Sequence, residues 1–233
     1  MLNRDWLDFK NYVTWFIRSG DNVNISEAIP GNQAYDLSPE FTSTFPCLSK
    51  LLLKSRVSNI EVNHDKYQLL GWTDQNGETF GWLTRYPSVD IDKPLSKEHK
   101  LLLSYFGGVT ERWNGCIDSW LLNLNSALTV EESSEGFQGW EDYIKEACSL
   151  DGIIPNINGN DYIAFAFEAN GNLTLYNKYD SSIIMLAHDH GFDHITPFKG
   201  YPEYTLYTIN QCSNLLSWIE TIAHQELNRI SSM

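Results

Sequence analysis

The sequence predicts an α+β fold: an antiparallel or mixed sheet with a central three-stranded meander, helices packed on it, and an N-terminal helix-and-hairpin extension. Three observations carry that expectation. Ile163, Phe165 and Phe167 alternate with Ala164, Ala166 and Glu168, a period of two that places large apolar side chains on one face of a strand. Asn170-Gly171 follows, a hairpin signal because both residues tolerate positive φ, and Leu173 and Leu175 resume the alternation. After a second turn at residues 179–182, Ile183, Ile184, Met185 and Leu186 run without polar interruption, as in a strand covered on both faces.

The remaining elements follow in order. Trp6, Phe9, Val13, Phe16 and Ile17 fall at helical spacing, so residues 4–18 predict an amphipathic helix whose aromatic stripe faces the core. Residues 21–46, rich in Asn, Ser, Pro and Gly, read as loop, and Leu48, Leu51 and Leu52 predict a short helix reaching Arg56. Residues 67–73 and 79–84 flank a second Asn-Gly turn, with Trp72 and Trp82 placed to pack across the pair. The Pro-bearing stretch 86–94 marks a candidate boundary between an extension (1–93) and a main α+β domain (94–233). Beyond it, residues 95–106 predict a helix capped by Ser96 and stopped by Gly107-Gly108, and residues 116–124 a strand around Ile117, Trp120 and Leu122. Trp140, Tyr143, Ile144 and Ala147 outline a helix ending near Gly152. A last strand is expected over 204–209, then a helix capped by Asn210 that buries Leu215, Leu216, Ile219, Ala223 and Leu227. One core is expected to unite Leu101, Leu102, Tyr105, Ile163, Phe165, Phe167, Leu173, Leu175, Ile184, Leu186, Leu216 and Ile219.

Bulk properties narrow the function. With 42% hydrophobic residues the chain has ample material for a core. Charges at Asp5, Asp8 and Lys10 leave no apolar signal segment, and no run of about 18 apolar residues offers a membrane span. Cys47, Cys116, Cys148 and Cys212 are widely spaced, which suits thiols in a reducing cytoplasm better than disulfides or zinc. A net charge of −14 argues against a general nucleic-acid binder. Residues 111–170 hold eleven acidic residues against Arg112 and Lys145, a balance of −9. Within them, Glu131, Glu132, Glu135, Glu141, Asp142 and Glu146 form either a solvated surface or the docking face of a basic partner. The alternative docking surface is the hairpin bearing Trp72 and Trp82, if its aromatics are exposed.

One cluster has metal-ligand composition: His188, His190, Asp193 and His194. It resembles the HxHxDH motif of metallo-β-lactamases, but Asp193 and His194 each fall one residue too late, and only His224 follows as a further histidine. It defines the alternative function, a metal-dependent hydrolase, against the simpler reading of polar residues at a strand end. No nucleophile elbow, phosphate loop or dinucleotide fingerprint is present, so no catalytic residue, metal or cofactor is assigned.

Residues 94–226 resemble the SUKH superfamily. Pro94-Leu95 with the helix ending Ser104-Tyr105-Phe106-Gly107-Gly108 is similar to that family's opening, and Tyr162 to Asn172 is similar to its central hairpin. Ile183 to His190 looks like its next strand and Thr208 to Ile222 like its closing helix. The resemblance implies an α+β bacterial cytoplasmic immunity protein without catalysis. Such proteins neutralise a cognate polymorphic toxin, often a nuclease, in contact-dependent competition. A toxin of that kind presents a basic cleft, which an acidic protein can occlude.

Overall fold

The computed structural model describes residues 3–116, 119–121, 124–189 and 193–230. The N-terminal part contains α1 (Arg4–Tyr12), β1 (Val23–Ile25), β2 (Ile29–Pro30), α2 (Gly31–Ala34), α3 (Pro39–Thr44) and α4 (Pro46–Leu53). Next come β3 (Arg56–Val62), β4 (Asp65–Thr73), β5 (Thr79–Arg85), α5 (Lys97–Leu103), β6 (Val109–Trp113) and β7 (Leu124–Ala127). The chain ends with β8 (Ser134–Glu135), α6 (Glu141–Leu150), β9 (Tyr162–Glu168), β10 (Leu173–Asn177), β11 (Ile183–Leu186), β12 (Ile195–Pro197), β13 (Leu206–Ile209) and α7 (Leu215–Ile230). Among the described residues every strand joins one antiparallel sheet in the order β1-β3-β4-β5-β6-β7-β9-β10-β11-β13-β12, with β2 beside β3 and β8 beside β9. The fold is α+β, with helices on an antiparallel sheet and the β9-β10-β11 meander in place.

Both faces of the sheet are buried. On one face Trp72, Trp82, Val109, Phe165, Tyr176 and Met185 form a single cluster with Leu51 of α4, Leu103 of α5 and Trp218 of α7. Ladder partners share a face, and Val109↔Ala127 and Ala127↔Ala166 carry that cluster across the middle of the sheet. The opposite face carries two separate clusters. Phe9 and Val13 cover Leu69, Leu83 and Trp113, whereas Ile144 and Cys148 of α6 cover Ala164, Leu175, Ile184 and Leu206. Between them, β6 and β7 pair only at Val109↔Ala127 among the described residues.

The single core expected from sequence is therefore divided by the sheet. Ile163, Phe165, Leu102 and Ile219 belong to one side, and Leu173, Leu175, Ile184 and Leu186 to the other. Phe167 also changes sides. Ala164 faces Leu175 and Ala166 faces Thr174, so β9 carries one residue more than β10 between those pairs. That bulge puts Phe165 and Ala166 on the same face and sends Phe167 to the α6 side, where it is half-buried.

Other departures have local causes. The first helix ends at Tyr12, since Val13 leaves helical geometry with ψ 65; the turn that follows still brings Phe16 edge-on to Phe9 and Tyr67. The stretch 21–46 is not loop: α3 starts at the Ser38-Pro39 cap, and β1 and β2 add to the edge of β3 through backbone bonds. Of the strand expected over 116–124, Ile117 and Leu122 lie outside the described residues, Trp120-Leu121 is a turn, and pairing falls instead on β6 and β7. Asn210 does not cap α7; Asn214 does, its Oδ1 accepting from Ser217 N–H at 2.8 Å. Gly107-Gly108 does not stop a helix, because α5 ends at Leu103. A Cβ at Gly107 would lie 2.2 Å from the Arg85 carbonyl and one at Gly108 2.6 Å from the Leu128 backbone, so close strand approach requires them. Trp72 and Trp82 do pack across their hairpin, ring centroids 5.2 Å apart, but both are buried and offer no docking surface. Residues 86–96 carry no helix or strand, while β5 and β6 on either side pair directly.

His99, isolated in the sequence, is buried and hydrogen-bonded on both ring nitrogens. Nε2 lies 3.1 Å from the Leu128 carbonyl and therefore carries the proton. Nδ1 accepts from the Tyr176 hydroxyl at 3.2 Å, and that oxygen accepts from Ser96 N–H at 3.1 Å. Burial pushes the His99 pKa from 6.5 down to about 4.

Two predictions follow from this packing. Phe165→Ala costs about 3–5 kcal/mol in urea unfolding, and Phe167→Ala clearly less; equal losses contradict the bulge. For His99, the unfolded chain binds the proton more readily than the fold does, so its contribution is present above pH 6.5 and lost as pH falls towards 4. The stability advantage of the wild type over His99→Gln accordingly shrinks, by up to about 3 kcal/mol across that window. A difference independent of pH contradicts the neutral, buried imidazole.

Candidate functional site

Two sets of residues singled out in the sequence meet at one end of the sheet. Trp140 is the N-cap residue of α6, and its ring lies 4.3 Å from that of His188, in the segment after β11. Tyr143 completes the group, edge-on to Trp140 at 5.4 Å and to His188 at 6.3 Å, with its hydroxyl donated to the Tyr204 carbonyl at 2.7 Å. Burial raises the Tyr143 pKa. The β9–β10 turn fits beneath: a Cβ on Gly171, whose φ is +96°, would stand 2.9 Å from the Trp140 ring.

Asn172 is the knot of this end. It is fully buried, and its Oδ1 accepts from the His188 backbone N–H at 3.1 Å and from His188 Nδ1 at 3.0 Å. Its Nδ2 donates to Glu168 Oε2 and Asp189 Oδ1, both at 3.2 Å. Asn170 adds a bond to Asp189 Oδ2 at 2.7 Å. One side chain thus fixes the hairpin turn, the His188 ring and two carboxylates; a carboxamide is needed because donor and acceptor are both used. The sequence showed Asn172 only as part of a turn, since His188 and Asp189 lie sixteen and seventeen residues away.

The six acidic residues do not form one patch. Glu131 faces Arg85 at 3.9 Å, Glu132 accepts from Thr129 at 3.4 Å, and Glu135 on β8 pairs with Lys178 at 3.0 Å. Glu141 turns back to accept from Phe137 N–H at 3.1 Å, acting at the start of its own helix. Asp142 stands out at 96% side-chain exposure, with Lys145 at 3.2 Å, and Glu146 is exposed one turn on. With Glu168 and Asp189, these two make the acidic surroundings of the Trp140–Tyr143–His188 group.

The histidine cluster is divided as well. His188 belongs to the α6 end, whereas His194 lies flat on Trp120, ring centroids 5.5 Å apart at 8°, beside Asp193. Burial lowers the His194 pKa against the opposing charge of Asp193. His190 lies outside the described residues. Among the described residues no group of three or more His, Cys, Asp or Glu side chains converges closely enough to hold a metal ion. The four cysteines are free thiols. No helix among the described residues is long and apolar enough to cross a membrane. Comparison with family models, with curated proteins and with solved structures found no match.

Asn172→Ala tests the knot. Leaving the His188 amide without its acceptor is expected to cost about 1–3 kcal/mol. Hydrogen exchange at the His188 amide then speeds up ahead of global unfolding. Exchange unchanged from wild type would show that Asn172 holds nothing in place.

Proposed function

We propose that the protein is a non-enzymatic immunity protein of the SUKH kind, which binds a cognate bacterial toxin in the cytoplasm and occludes its basic active surface. The observation that carries this reading is the end of the sheet where exposed carboxylates surround a preassembled aromatic group. Asp142 and Glu146 project from a helix whose first turn bears Trp140 and Tyr143, and Asp189 and Glu168 are fixed by the buried Asn172. Aromatic anchors rimmed by charge suit a protein interface, the rings supplying contact area and the carboxylates steering approach. The local excess of −9 over residues 111–170 supplies a long-range field of the right sign for a toxin that acts on nucleic acid.

Both imidazoles are engaged in ways that serve structure. His188 directs Nδ1 into the Asn172 amide, and His194 stacks on Trp120. Their spacing in the sequence suggested a common centre; their partners are different.

Co-expression with the toxin encoded beside it is the direct test: growth is restored and a stable complex is isolated. Asp142→Lys with Glu146→Lys is expected to slow association about tenfold at low ionic strength and to flatten its salt dependence, with unfolding midpoints unchanged. Glu141 is left intact in that variant because its carboxylate holds the Phe137 N–H of the turn before the helix. Association unaltered at every salt concentration removes this face from the interface. A hydrolytic activity that disappears when His188 and His194 are replaced overturns the reading as a whole.

A further inference from the structure

α6 carries two apolar stripes, and the sheet covers one of them. Ile144 and Cys148 face it and are buried. Trp140, Tyr143, Ala147 and Leu150 recur at intervals of three, four and three, which lines them up along the adjoining side of the helix. The first three are half-buried, and Leu150 is 83% exposed. The end of the helix is closed by a regular cap. Gly152 takes φ +70°, its N–H bonds to the Ser149 carbonyl at 3.1 Å, and the Ile153 N–H bonds to the Cys148 carbonyl at 2.8 Å. That reversal tucks Ile153 against the cluster beneath α6 and leaves Ile154 90% exposed. Among the described residues Ile154 and Leu150 are the most exposed of the large apolar side chains, and both stand at this one end.

The charges around the stripe decide what covers it. The helical period sets Asp142 and Glu146 along its solvent side, with Asp151 exposed at the end of the helix. Lys145 leaves the helix on the side away from the stripe, 3.2 Å from Asp142, and Glu141 is turned back to the Phe137 N–H. A twofold contact between copies through α6 would set these carboxylates against themselves, in a chain of net charge −14. An anionic bilayer is repelled by the same charge. The complement of both features is an apolar strip edged with lysine or arginine. Alternating intervals of three and four are those of a coiled-coil seam, onto which another helix packs along its length. The seam is also fixed in advance, since the Tyr143 hydroxyl is bonded to the Tyr204 carbonyl and Trp140 rests on Gly171 and His188.

We propose that this stripe seats an amphipathic helix of the protein partner, with its apolar side along Trp140, Tyr143, Ala147 and Leu150 and its basic side chains beside Asp142 and Glu146. Under the immunity reading, on which this rests, the carboxylates act on approach and the stripe holds the complex once it has formed.

The test uses two labelled lysine-leucine peptides of one composition in fluorescence anisotropy, with the full chain. One has leucine at every a and d position of a heptad pattern, and the other has the same residues in scrambled order. The wild type is expected to bind the patterned peptide about tenfold more tightly than the scrambled one. Leu150→Ser, at an exposed position and without change of charge, brings the two peptides level, and so does Ala147→Gln. Tyr179→Ser, at an exposed aromatic in the turn between β10 and β11, leaves the ratio at its wild-type value. Equal binding of the two peptides by the wild type, or a preference that survives both Leu150→Ser and Ala147→Gln, overturns the proposal. A chain that sediments as a dimer, and as a monomer after Leu150→Ser, gives the stripe to a second copy and overturns it as well. A protein that prefers the patterned peptide through these residues but neutralises no toxin keeps the stripe and loses the proposed function. One whose toxin dissociates equally slowly from the wild type and from both stripe variants keeps the function and loses the stripe.

Discussion

The carboxylate of Glu220, in the middle of α7, accepts from the backbone N–H groups of Cys47 and Leu48 at 2.7 and 3.1 Å. Those are orphan donors at the start of α4, a helix that begins with Phe45-Pro46 and has no side-chain cap of its own. A charge placed there satisfies two buried donors and meets the positive end of the helix dipole. The bond joins the last helix of the chain to the first third, on the face of the sheet where Leu51, Leu103 and Trp218 pack together. Trp218, two residues before Glu220, stands edge-on to Phe165 at 4.9 Å, so the same helix grips the central meander. Farther along, Arg229 lies 4.1 Å over Phe80 and 3.6 Å from Asp74 in the first hairpin. α7 is thus bonded to both halves of the sheet, across the seam between β6 and β7.

The proposed binding surface lies where that arrangement leaves room. With one face committed to a continuous apolar cluster, the opposite face is covered only at its ends, by α1 and by α6. The covering helices create edges, and the polar and aromatic groups gather at those edges: Trp140 and His188 beside α6, Trp15 and Glu111 beside α1. Side chains buried by position are pinned by buried polar bonds, as Asn172 shows, and what they pin is held in a fixed geometry before any partner arrives.

The parts of the fold legible in the sequence are those specified by neighbours. Both Asn-Gly hairpins, the Ser96 cap with its bond to His99 N–H, and the start and end of the α6 region follow from interactions within a few residues. What was illegible depends on distant backbone. β1, β2 and β12 are short edge strands that exist because β3 and β13 offer free ladder positions. The β9 bulge is a property of two strands together, and a run of alternating Phe carries no trace of it. The same holds for the sites. Exposure of Asp142 and Glu146 followed from the helical period, but the retreat of Glu141 into its helix start and the pairing of Glu135 with Lys178 required the fold. His188 and His194 were grouped by sequence proximity, and the chain between them separates their environments.

Among the described residues the single pairing of β6 with β7, at Val109 and Ala127, also has a mechanical meaning. Elsewhere the ladders hold several residues in register, as in the seven pairs of β3 with β4, and load along the strands is shared among parallel bonds. At the seam the described residues provide one such pair. Tension drawn across the sheet would pass into α7, carried by a charged cap, an aromatic edge and an arginine. The molecule is built like two panels joined by a batten, stiff within each panel and dependent at the join on the piece laid over it.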